Sequence, residues 1–96
     1  MIIYEITTKV RSDLIEDYER YMRRRHIPEL LATGYFSGAK FTRSGDRYRI
    51  QYETSALDGY LAQDAARLRA DFLEHFPKGV EVERETWEIV ETWTEV

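Results

Sequence analysis

Apolar and polar positions alternate at the start of the chain. Ile2, Tyr4, Ile6, Thr8 and Val10 fall on one face, and Ile3, Glu5, Thr7 and Lys9 on the other. A period of two predicts a half-buried strand. Ser12, followed by Asp13 and Glu16, then reads as a helix start, a hydroxyl cap with acids in the first turn. The helix stripe is Leu14, Ile15, Tyr18, Tyr21 and Met22 at three- and four-residue spacing, and one more step of four reaches His26. Pro28 has no N–H to donate, so a break is expected there, with a short turn from Pro28 to Thr33 closed by Gly34.

Tyr35 to Arg43 read as a second strand, Ser44-Gly45-Asp46 as a tight hairpin turn, and Arg47 to Thr54 as a third strand. In the third strand Tyr48, Ile50 and Tyr52 share one face, and Arg47, Arg49, Gln51 and Glu53 the other. Ser55 with Asp58 resembles a capping box. Leu57, Leu61, Ala65, Leu68, Phe72 and Phe76 then mark a second amphipathic helix, stopped by Pro77-Lys78-Gly79. Val80 to Val96 is a final extended segment, long enough that a bulge or bend is expected in it.

The order strand, helix, strand therefore occurs twice. Each such unit takes a right-handed crossover. Interleaving two of them gives an α+β, ferredoxin-like βαββαβ domain: a four-stranded antiparallel sheet with two helices on one face. The whole chain, residues 1–96, is expected to be this one domain. The uncovered face should carry Trp87, Ile89 and Trp93 between Glu85, Glu91 and Glu95. Apolar area of that kind marks an interface, so a homodimer formed by stacking two sheets is expected. The alternative is that the tryptophans lie half wet across the sheet.

Composition narrows the function classes. A net charge of −4 gives no basic face for nucleic acid. There is no cysteine, hence no disulfide, thiolate nucleophile or cysteine metal site. No segment is apolar enough to cross a membrane, and the first residues run straight into a strand, so a cytoplasmic location is expected. Seven tyrosines join apolar area to polar tips and suit half-wet pockets, though they also simply fit strands.

His26 is the candidate catalytic residue, because imidazole moves protons near neutral pH and the stripe aims it at the sheet. Tyr4, Tyr18, Met22, Tyr48 and Tyr52 are the candidate ligand-binding residues around it. A histidine among tyrosine hydroxyls in an apolar cleft can polarise a carbonyl or shuttle a proton on a small apolar or aromatic ligand. The structural alternative is that His26 only satisfies backbone carbonyls freed by Pro28, or one tyrosine. His75 is explained by a helix C-terminus. Neither histidine has a partner at metal-ligand spacing, and no metal or cofactor is expected. Arg23-Arg24-Arg25 reads as a solvated helix face paired with local acids. Glu81, Glu83 and Glu85 share one face of the last strand and need cations, for which Lys40, Arg43, Arg47 and Arg49 are candidates.

The βαββαβ order, the long last strand and the helix-terminal His26-Ile27-Pro28 resemble the dimeric α+β barrel superfamily. That group holds antibiotic-biosynthesis monooxygenase domains, EthD-like proteins, muconolactone isomerases and stress-responsive A/B barrels. The run from Met22 to Gly34 is most similar to a small bacterial family within it that has no assigned activity. The resemblance implies a homodimeric barrel with a cleft between helices and sheet. It also implies a small-molecule binder or a cofactor-independent enzyme, such as an isomerase, cyclase or monooxygenase-like protein. The alternative is a noncatalytic homodimeric interaction module. The likeness does not extend to the haem-degrading branch: the first strand has no Asn, both tryptophans lie near the chain's end, and only His75 matches.

Overall fold

The computed structural model describes residues 1–95. Strand β1 (Ile2–Val10) leads through a 3-10 turn (Ser12–Leu14) into helix α1 (Ile15–Tyr21). A π-helical turn (Met22–His26) joins α1 to α2 (Ile27–Ala32). Strands β2 (Phe36–Ser44) and β3 (Arg47–Thr54) form a hairpin, helices α3 (Leu57–Gln63) and α4 (Ala65–His75) follow, and β4 (Val80–Glu88) ends the fold. The sheet order is β2-β3-β1-β4 with every neighbouring pair antiparallel. This is the expected α+β, ferredoxin-like arrangement. Each of the two anticipated helices is divided in two.

The period of two in the sequence is the physical register of the sheet. Tyr4 lies opposite Tyr52 and Ile6 opposite Ile50, so one face of β1 and β3 becomes the floor of the core. Tyr4, Ile6, Val10, Tyr48, Ile50 and Tyr52 are all buried there. Tyr18, Met22, Leu30, Leu68 and Phe72 cover them from the helices. Thr8 and Tyr18 share a buried hydroxyl–hydroxyl hydrogen bond of 2.7 Å, which satisfies both polar tips inside this aromatic layer.

Four local expectations are corrected. The chain does not break at Pro28. The Ile27 N–H donates to the Met22 carbonyl, five residues back, and the wider turn carries the helix past Pro28, which sits in the first turn of α2. Ser55 is not a helix cap. Ala56 stands before α3, and its N–H donates to Thr54 Oγ1, because that buried hydroxyl at the end of β3 is already fixed by donating to the Tyr35 carbonyl. The second helix does not run on through one stripe: it is interrupted at Asp64, and Leu61 is turned outward. The final strand has no bulge and stops at Glu88, so Ile89 and Trp93 lie beyond it and Val96 is outside the described residues. The bulge of this sheet is in β2, between Phe36 and Gly38. Two turns follow the sequence reading: Gly34 closes α2 at φ +84°, and Gly45 opens the two-residue hairpin at φ +62°.

The far face of the sheet is uncovered within one chain. Glu81, Glu83 and Glu85 line its β4 edge, each opposite an outward residue of β1. Arg47 and Arg49 of β3 and Lys40 of β2 lie toward the other edge. Arg43 has the opposite phase and pairs with Glu19 on α1 instead. Trp87 is half exposed beside Ile3, its indole N–H donating to Glu5. No helix among the described residues is long and apolar enough to cross a membrane.

Candidate functional site

The π turn delivers two side chains to one place. Met22 and His26 bound it, and both are buried, whereas Arg23, Arg24 and Arg25 between them face solvent. Turns of this kind are uncommon and recur at functional sites. Beneath them runs a narrow cleft between the helices and the β1–β4 side of the sheet. Its walls are Ile6, Ile50, Phe72 and Val82, its polar groups Thr8, Tyr4, Tyr18, Tyr60, His26, Arg69 and Arg84. The cleft has a volume of about 30 Å³, enough to hold a water molecule.

His26 is only 8% exposed, and its Nδ1 is fully enclosed with no hydrogen-bond partner among the described residues. The ring lies 5.4 Å from Phe72 and 6.1 Å from Tyr21, centre to centre. Burial drives its pKa down to about 4; Arg84 pushes the same way, and Asp71 opposes them weakly. The imidazole is therefore neutral at pH 7 and offers one donor and one acceptor nitrogen. A group with that pKa is a poor general acid at neutral pH and a competent hydrogen-bond partner.

Of the residues read as ligand-binding, Tyr4, Tyr18 and Met22 line the cleft with His26. Tyr4 accepts a 2.8 Å hydrogen bond from Arg69 Nη2. Tyr48 and Tyr52 do not line it. Tyr48 reaches away to α1, its hydroxyl donating to Glu19 Oε2 at 2.6 Å. Tyr52 is wholly buried against Phe36 and Tyr4, as core. Residues missed from the sequence are Tyr60, Arg69 and Arg84. Arg84 had a readable signal: it continues the inward phase of Val80 and Val82 on β4, a charge where an apolar residue belongs. Tyr60 and Arg69 had none: Leu61 was read inward where Tyr60 is buried, and Arg69 is a polar neighbour of a stripe that holds from Ala65 to Phe76.

A second depression, about 540 Å³, opens near the hairpin end of the sheet beside Lys9, Arg47, Arg49, Glu81 and Glu83. It is lined by charge and belongs largely to the uncovered sheet face. Among the described residues no group of three or more His, Asp or Glu is placed to hold a metal ion.

The family model described as a domain of unknown function, DUF4286, matches residues 1–90. No curated protein matches the sequence. Among solved structures, the chain is similar to a candidate antibiotic biosynthesis monooxygenase from Deinococcus radiodurans. The TM-score is 0.68 and the identity 15%, over 100% of this chain and 99% of that one. At that identity the likeness establishes the ferredoxin-like fold of such monooxygenases and nothing finer.

Proposed function

The chain belongs to the DUF4286 family, and we propose that it is a homodimeric small-molecule-binding protein whose ligand enters the cleft at His26. The observation that carries this reading is His26 itself. A neutral imidazole, nine-tenths buried, lines a cleft, and its enclosed Nδ1 has no hydrogen-bond partner among the described residues. An unpartnered buried polar atom costs about 1–3 kcal/mol, and a ligand group that displaced the cleft's walls to reach it would offset it. The π turn supports the same reading, since it holds Met22 and His26 on that wall together.

A second copy of the chain is the proposed cover for the open sheet face. Glu81, Glu83 and Glu85 lie at one edge, and Lys40, Arg47 and Arg49 toward the other. A two-fold axis through the face sets the acidic edge of each copy against the basic side of its partner. Trp87 supplies apolar area to the same contact.

One observation favours a noncatalytic interaction module instead. The cleft encloses about 30 Å³, well under the 300–1,000 Å³ or so of ordinary ligand pockets. Ligand entry then requires the long side chains of Arg69 and Arg84 to move aside. The test is a fragment screen by NMR on isotope-labelled chain. Hits that shift the amides of Tyr4, Met22 and His26 support the binding reading. An absence of hits, or hits confined to the open sheet face, contradicts it and leaves the interaction module.

A further inference from the structure

The cleft carries positive charge that the protein leaves unneutralised. Arg69, on α4, and Arg84, on β4, both line it. Seven other arginines pair locally with acids: Arg11 with Asp13, Arg20 with Glu16 and Asp17, Arg23 and Arg43 with Glu19, Arg25 with Glu29, Arg49 with Glu5, Arg67 with Asp64. Among the described residues neither Arg69 nor Arg84 lies within ion-pair distance of a carboxylate. Arg69 spends one N–H on the Tyr4 hydroxyl at 2.8 Å, and its Nε is enclosed without a partner. Asp71, the one acid whose charge reaches His26, does not line the cleft.

We infer that the ligand of this cleft is a small organic carboxylate, held by Arg84 and Arg69, with its apolar body against Met22, Phe72 and Val82. This rests on the cleft being a ligand site. A carboxylate fits the planar donor fork of a guanidinium and takes two parallel hydrogen bonds from it. His26 lines the same cleft, and its neutral ring carries one N–H that can donate to a carboxylate oxygen. The apolar walls argue for a hydrocarbon or aromatic body behind the charged end. A cation in this cleft would meet two guanidinium groups.

The test uses three probes on the full-length chain: benzoate, its neutral isostere benzamide, and inorganic phosphate. The readouts are the His26 ring and the Arg69 and Arg84 guanidinium resonances in NMR titrations. Benzoate should shift them saturably and bind at least about tenfold more tightly than benzamide, the discrimination expected of a charged hydrogen-bonded pair. Arg84→Gln, at an exposed position, should keep the fold and remove that preference. Equal binding of benzoate and benzamide overturns the carboxylate inference while the ligand site stands. Phosphate shifting the same resonances as strongly as benzoate also overturns it. A cleft that responds to neutral fragments and not to benzoate does the same, and a cleft silent to every probe ends both readings.

Discussion

The backbone N–H of Ile27 donates to the carbonyl of Met22, five residues back where a regular α-helix would reach four. That single bond settles two matters at once. It lets the helix run past Pro28, whose missing N–H then falls in the first turn of α2. It also keeps Met22 and His26 both buried while the three arginines between them face water.

Tyr48 and Glu19 tie α1 to the hairpin. The phenol donates to a carboxylate oxygen that Arg43 also reaches at 2.9 Å. Burial first, then the carboxylate, pushes the Tyr48 pKa up to about 12. Tyr48→Phe should cost about 1.5–2 kcal/mol, the worth of a hydrogen bond to a charged acceptor. Urea unfolding checks this, and a loss within a few tenths of a kcal/mol would show that the tie contributes nothing.

His26 makes stability depend on pH in a known direction. Its pKa is about 4 in the folded chain against 6.5 for an unperturbed histidine. Between those values the unfolded chain binds the extra proton, so stability is full above about pH 6.5 and falls as pH drops toward 4. The contribution is on the order of 3 kcal/mol over that window. Urea unfolding of wild type and His26→Gln at pH 7.5 and pH 5 should show a steeper loss in wild type. Parallel slopes would mean that the ring is not buried neutral.

Two glycines separate conformation from space. Gly34 and Gly38 both have open space where a Cβ would stand, but only Gly34 has a positive φ, +84°. Gly34→Ala should cost about 1–2 kcal/mol because that backbone region disfavours a Cβ. Gly38→Ala should fall within about 0.5 kcal/mol of wild type. Equal effects in thermal unfolding would remove the conformational argument.

Trp87 and Trp93 test the second copy. Both are exposed in the single chain, at 52% and 80%. A stable dimer should bury about 1,200 Å² or more in total. Wild type should sediment as a dimer at micromolar concentration, and Trp87→Glu should shift it to monomer by placing a charge in the apolar contact. A wild-type monomer would refute the dimer.

The sheet was legible because a half-buried strand has only one way to alternate. Tyr4, Ile6 and Val10, and Tyr48, Ile50 and Tyr52, all fell on the buried side as read. The helices were less legible. Nothing in Met22 to Pro28 distinguishes a π turn from a break, since both answer the same missing N–H. Asp64 interrupts the second helix, and before it Tyr60 takes the inward place that apolar spacing gave to Leu61. Tyr48 and Tyr52 share a face with Tyr4, yet a face is wider than a cleft: β3 passes below the core, and the cleft opens toward β4.

If His26 serves a ligand and not the fold, removing its ring should cost binding and spare stability. The most direct measurement is the affinity of His26→Ala for the strongest fragment bound by wild type, with urea stability determined on the same sample at pH 7.5. At least about a tenfold loss of affinity is expected, with unfolding free energy within about 1 kcal/mol of wild type. Unchanged affinity together with a stability loss of several kcal/mol would contradict it and make His26 a core residue.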